Sequence, residues 1–385
     1  MTQLLIGTVV GLVLLWPGER VSSVSERFGA APDLYDATVD DLIREPCEGT
    51  SEADEVFCQT VNAEVTEGDL AGQPVVFQLD EGPNSPELER GDEIVLAYAP
   101  DAPPELAFSF ADFQRTGPLG LLAILFAAAV IALGRLAGLR ALAGVGVSLL
   151  VLVQFLLPSI LEGNNPLAVA VVGAAAVMFI ALYLVHGLNV RTTAAVLGTL
   201  LSLSLTALLG VLFVGAARLT GLGDEEATIL RAFAEQVDVR GLILAGIVIG
   251  SLGVLDDVTV TQVSAVWELH RANAAMSLRE LYTAAVRIGR DHIASTVNTL
   301  VLAYAGAALA LLVLFVDTSR PLADVLTGEV IAVEVVRTLV GSIGLVASVP
   351  ITTLLAAAIV TWSHEHPDPP PSADGGEGED AILRR

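Results

Sequence analysis

The stretch GLILAGIVIGSLGVLDDVTVTQVSAVW, residues 241–267, decides the fold. Its first fifteen residues carry no charge and a single hydroxyl, Ser251. A bilayer core about 30 Å thick needs roughly 20 apolar helical residues. Fifteen residues rise only about 22 Å. A helix that starts at Gly241 is therefore still inside the membrane when it reaches Asp256 and Asp257, or it breaks there. Beyond them, Asp257, Thr261, Ser264 and Glu268 fall at i, i+4, i+7 and i+11, one face of a helix. Thr259 and Gln262 add polar groups. Upstream, Gly246, Gly250 and Gly253 lie on one stripe, and Gly246-x-x-x-Gly250 is a close-packing pattern whose simplest use is helix packing.

The rest of the chain agrees with a membrane protein. Of 385 residues, 54% are hydrophobic and 16% charged, with a mean hydropathy of +0.69. Soluble domains carry about 25% charged residues. The net charge is −25, and all 19 bases are arginine. Such a balance excludes a nucleic-acid binder, which needs a basic surface. The charge is unevenly spread. Residues 18–112 hold 23 acids and four arginines, the tail 364–385 six acids and two arginines, and 113–363 is only −2. A nearly neutral hydrophobic body thus carries an acidic insert and an acidic tail.

Apolar runs near 3–16, 118–134, 141–161, 166–187, 193–217, 241–267, 293–316 and 338–362 give eight expected spans. The first lacks a basic n-region and a small-x-small cleavage site, so it reads as an uncleaved anchor. The expected architecture is an all-α polytopic membrane helix bundle of about eight transmembrane helices, with a small extracytoplasmic β-rich domain inserted after the first helix. Its parts are an anchor over 1–17, the acidic domain over 18–116, the helical domain over 117–363 and a Pro/Gly/acid-rich disordered tail over 364–385.

Sidedness rests on two clues. Arg135, Arg140, Arg191, Arg271, Arg279, Arg287 and Arg290 lie in loops on one side, against Arg218, Arg231, Arg240, Arg320 and Arg337 on the other. The two cysteines, Cys47 and Cys58, both fall in the insert and read as a disulfide in an oxidising compartment. Both clues put 18–116 outside a cell membrane and both termini in the cytoplasm. The insert itself alternates over Tyr35–Leu42, Phe57–Val65, Pro74–Leu79 and Glu93–Ala99, with turns between, as a small β-barrel or sandwich does. Residues 224–238 read as an amphipathic helix, capped by Asp224, with Ala227, Leu230, Phe233, Ala234 and Val237 on one face.

The next polar element begins at Ser277-Leu278-Arg279-Glu280, a capping-box pattern. Along the helix that follows, Arg287, Asp291, Ser295 and Asn298 form one face, and His292, Thr296 and Thr299 the next. Arg287 and Asp291 are four apart and can pair. One loop joins the two polar segments, so they share a side and a depth. A charge in hydrocarbon costs several kcal/mol unless paired or hydrated. A structural ion-pair cluster at the interface is the plain reading. The collection of Asp256, Asp257, Thr261, Gln262, Arg287, Arg290, Asp291, His292, Ser295, Thr296 and Asn298 favours a site for a hard cation, a proton or a small solute. The membrane body has no cysteine for thiolate chemistry.

These same residues carry a resemblance. The run from Gly250 to Gln262, then Trp267-Glu268-Leu269, then Arg287 to Leu300, resembles the YibE/F family of bacterial multi-pass membrane proteins. Asp112-Phe113-Gln114-Arg115, Tyr183-Leu184-Val185-His186-Gly187 and Arg191-Thr192-Thr193 are similar too. The resemblance implies the architecture and the importance of the polar hairpin. It implies no substrate, because the family has no established biochemical activity.

Three functional classes follow. A transporter or ion-conducting protein comes first, with Asp257 the first choice for coupling and Asp291 and Asn298 its partners. Ser202, Ser204 and Thr206 line the same path or simply bond back to their own helix. An accessory or scaffold protein of the envelope or secretion comes second. A membrane-embedded metal-dependent enzyme comes third, since no HExxH, GxSxG or P-loop is present. His364-Glu365-His366 reads as a polar cap on the last helix before a weak metal site. No cofactor is expected; the partners are the bilayer and a small ion or solute, and the oligomeric state stays open.

Overall fold

The computed structural model describes residues 1–18, 33–46, 57–80, 85–103, 106–223, 236–316 and 321–365, with a few positions between. The chain forms two compact units, Ser22–Arg135 and the remainder, Met1–Val21 with Leu136–Arg385.

The smaller unit is built on one antiparallel sheet. Its strands are β1 (Asp33–Pro46), β2 (Phe57–Val65), β3 (Pro74–Asp80), β4 (Glu93–Tyr98) and β5 (Phe108–Phe113), in the order β3-β2-β1-β4-β5. Alternation sends Ala37, Val39, Val61, Ala63, Val65, Val75, Phe77, Ile94 and Leu96 into one core. A register shift between Val39 and Asp41 bends β1, and the outer strands β3 and β5 meet, so the sheet curls. Four strands are legible in the sequence and β5 is the addition. Cys58 is not free, and Cys47 lies outside the described residues.

The larger unit is helical. Its elements are α1 (Thr2–Leu14), the second arm of α2 (Thr116–Val151), a π-helical segment Leu152–Leu156, α3 (Leu157–Leu161), α4 (Pro166–His186), α5 (Val190–Ala216), α6 (Val239–Ala272), α7 (Leu278–Ala307), α8 (Leu309–Val316), α9 (Leu322–Thr327) and α10 (Glu329–Glu365). Asn165 and Asn189 cap α4 and α5 by accepting from Ala168 N at 3.0 Å and Thr192 N at 2.8 Å. The Ser277–Glu280 capping box forms as its sequence pattern predicts.

Five helices among the described residues are long and apolar enough to cross a membrane: Thr116–Leu161, Pro166–His186, Val190–Ala216, Val239–Ala272 and Glu329–Trp362. The eight expected runs differ from these five for local reasons. The runs 118–134 and 141–161 join into one helical stretch interrupted at Arg135, whose φ of 49° and ψ of −125° are not helical. The thirteen residues of α1 reach about 20 Å, short of a bilayer core. The run 293–316 breaks at Ala308, and the polar start of α7 dilutes its hydropathy.

Residues 224–238 are a correction. Among the described positions helix covers 229–232, while 234 and 236–238 are irregular. Gln236 explains the turn, because its Nε2 donates to Leu161 O at 2.9 Å and its side chain lies against Gly163. Leu230, Ala234 and Val237 still pack on the body, with Phe155, Ile160 and Val169. Asp224, Glu225, Glu226, Ala227, Phe233 and the tail from His366 lie outside the described residues.

The centre of the body is the packing of α5, α6 and α10. Small residues let these helices approach: a Cβ on Gly198 would overlap Thr352, and one on Gly344 would overlap Thr206. Thr199 and Thr259 hydroxyls bridge α5 and α6 at 2.6 Å.

Candidate functional site

Depth along α6 is set by an interhelical bond. Arg191, in the first turn of α5, donates from Nη2 to Ser264 Oγ. Ser264 therefore lies level with the α4–α5 turn. Asp256 precedes it by eight residues, about 12 Å farther into the body. The carboxylates thus lie well along α6 from that turn, toward its middle.

Asp256 and Asp257 do not form one cluster. Asp256 lines a cavity of about 290 Å³ whose walls include Ser148, Leu152, Leu156, Met178, Ile249 and Gly253. Its Oδ1 is buried and has no hydrogen-bond partner. Leu152 and Leu156 belong to the π-helical segment, a geometry enriched at functional sites. Asp257 is turned to the outside, with its side chain 72% exposed, and its Oδ2 lies 3.8 Å from His292 Nε2.

On α7, the hairpin meets α6 through the His292 face. Arg287, Arg290, Asp291, Ser295 and Asn298 are exposed, and Arg287 and Asp291 form no ion pair. Thr261 is exposed as well. Thr296 donates back to His292 O at 2.9 Å. Gln262 is buried and clamps three helices: its Nε2 donates to Ala285 O at 2.8 Å and to Thr353 Oγ1 at 2.7 Å. A Cβ on Gly289 would sit 2.6 Å from Gln262 Oε1, so glycine there leaves room for the clamp. Ser202, Ser204 and Thr206 bond to carbonyls of their own helix at 2.8, 2.7 and 2.9 Å.

A second cavity, of about 280 Å³, adjoins the α4–α5 turn and is lined by His186, Asn189, Arg191, Thr192, Val260 and Ser264. Asp256, Val260 and Val263 fall at i, i+4 and i+7, so one face of α6 runs from the Asp256 cavity into this vestibule. His186, Asn189 and Arg191 are the site residues that the reading of the hairpin alone misses. The signal lies in the Tyr183–Arg191 turn, a polar kink between two long apolar runs. Among the described residues no group of three or more His, Cys, Asp or Glu is gathered as metal ligands are.

A bundle of long apolar helices, with one carboxylate, Asp256, lining a cavity within it, defines an α-helical membrane protein. A profile of the YibE/F-like protein family matches residues 122–362, and the chain belongs to that family. No curated protein and no solved structure matches the chain.

Proposed function

We propose that the helical body moves a proton or a hard cation through the membrane, with Asp256 as the carboxylate that binds and releases it. One observation carries the reading: a carboxylate oxygen buried without a partner beside a cavity and a π-helical segment. An uncompensated carboxylate in a helical membrane body is costly, and function is the usual reason to keep one. The vestibule with His186 and Arg191 supplies polar access from the α4–α5 side, and Asp257 and His292 stand together one residue away. In this reading the protein lies in the cell membrane with both termini cytoplasmic. Residues 18–116 are extracytoplasmic, and Cys47 and Cys58 are joined there.

Reconstitution in liposomes that enclose a pH-sensitive dye tests the proposal. An imposed potential or ion gradient should drive a flux that Asp256→Asn reduces at least tenfold, while Ser204→Ala leaves it unchanged. Equal flux for wild type and Asp256→Asn, or none above empty liposomes, would overturn it.

A further inference from the structure

The helical unit holds a larger cavity than the one at Asp256. It measures about 800 Å³ and lies toward the opposite end of α6, among residues 221–223, the start of α6, the α7–α8 junction and the start of α10. That volume is in the range of small-molecule sites. Most of its wall is apolar, with Leu242, Ile243, Leu311 and Val333 among the lining side chains. Three polar side chains converge on it: Tyr304 from α7, and Glu334 and Arg337 from α10.

The glycine stripe of α6 positions two of them. Arg337 Nη2 lies 3.4 Å from where a Cβ on Gly246 would stand. A Cβ on Gly250 would overlap the Tyr304 hydroxyl. These glycines are one helical turn apart, about 6 Å, so the guanidinium and the phenol are neighbours along the stripe. Close helix packing is thus not the stripe's sole role: it also makes room for two polar heads.

The guanidinium is half used. Its Nη1 donates to Glu334 Oε1 at 2.5 Å. Its Nε is buried and has no partner. Nε is enclosed against the Gly246 stripe and Nη1 is spent on Glu334, so Nη2 is the donor left open, and a charged donor of this kind takes a carboxylate oxygen. Glu334 already balances the arginine, which disfavours a dianionic head, and the apolar wall requires a hydrocarbon body.

We infer that this cavity binds a monocarboxylate with an apolar chain, its head on Arg337 Nη2 and the Tyr304 hydroxyl. The inference stands apart from the ion path, because it uses a different cavity and different residues.

Equilibrium dialysis of radiolabelled octanoate against the protein in nanodiscs, with empty nanodiscs subtracted, tests it. Saturable binding is expected, at least tenfold tighter than that of octanol or octylamine by competition. Tyr304→Phe, which keeps the ring, should weaken binding about fivefold. Arg337→Lys keeps the charge but has no donor at the Nη2 position and should weaken it at least tenfold. Glu334→Gln frees the whole guanidinium and should tighten it, a change of sign that loss of folding cannot mimic. Binding equal to that of empty discs, octylamine competing as well as octanoate, or an unchanged affinity in Arg337→Lys would overturn the inference. So would displacement of octanoate by phosphatidylglycerol, which would assign the cavity to a phosphodiester head.

Discussion

Asp256 and Asp257 are adjacent in sequence but face different surroundings: Asp256 borders a mostly apolar cavity, while Asp257 is exposed beside His292. Successive side chains on a helix diverge by about 100°, so a double-aspartate motif serves two places at once. The bond from Arg191 to Ser264 adds the depth at which it does so.

This separation predicts opposite effects on stability and transport. Asp256→Asn removes a charge whose Oδ1 has no partner. It should stabilise the detergent-solubilised protein by about 1–3 kcal/mol, the scale of an unmet buried polar group, while lowering flux. Asp257→Asn, at an exposed position, should change stability by less than about 0.5 kcal/mol. Thermal melts of the two variants beside wild type decide the matter. A destabilised Asp256→Asn would mean that the carboxylate is a structural partner.

Gln262 is predicted to be structural. Its amide satisfies Ala285 O and Thr353 Oγ1 in the interior of three helices. Gln262→Leu keeps the bulk and leaves both acceptors without this donor, at a cost of about 2–4 kcal/mol. Thr353 Oγ1 still donates to Val349 O at 2.6 Å, which limits the loss on its side. Thr296→Val removes a bond within one helix turn and should cost under about 1 kcal/mol. Chemical denaturation in mixed micelles would rank the two, and an equal loss would refute the clamp.

Local grammar was legible in the sequence, and long-range partnership was not. The Ser277–Glu280 box is written within four residues and forms as read. The stripe Asp257–Thr261–Ser264–Glu268 is a helical face by spacing alone. Which faces meet the body depends on packing neighbours, and spacing does not contain them. For that reason the His292 face, not the Arg287–Asp291–Asn298 face, approaches Asp257. The hydroxyls of Ser202, Ser204 and Thr206 bond within α5, as the plainer of their two readings had it. The partners of Gly246 and Gly250 are Arg337 and Tyr304, 91 and 54 positions away in the numbering. The strand Phe108–Phe113 was within reach, because Phe108 and Phe110 stand two apart around the polar Ser109.

Acid should loosen the sheet unit through Asp41. The Arg90 guanidinium donates to Asp41, and with the Leu42 amide it holds the Asp41 carboxyl below its ordinary range. A folded value below the unfolded one, near 3.9, gives stabilisation that is present above the unfolded value. It is lost as pH falls through the folded one. Hydrogen exchange of β1 amides in the full-length protein should therefore accelerate below about pH 4, and less so in Arg90→Ala. Both groups are exposed, so the difference should shrink in high salt. A salt-insensitive acid response would locate its cause elsewhere.

The glycines of the body predict a graded series of alanine variants. Gly198 and Gly344 face Thr352 and Thr206 across the α5–α10 contact, and a methyl at either overlaps a buried threonine. Helices cannot yield there without parting the central packing, so Gly198→Ala and Gly344→Ala should each cost about 1–3 kcal/mol. At Gly250 the obstacle is the far end of the Tyr304 side chain, which can swing into the large cavity. Gly250→Ala should then be milder, and Tyr304→Phe should relieve what cost remains. Gly253 has nothing within 4 Å of its would-be Cβ. Alanine there gains helix propensity of about 1 kcal/mol and should stabilise. Melting the four variants in one detergent gives the order directly. If Gly253→Ala were as damaging as Gly198→Ala, a partner must cover that part of α6 in the membrane.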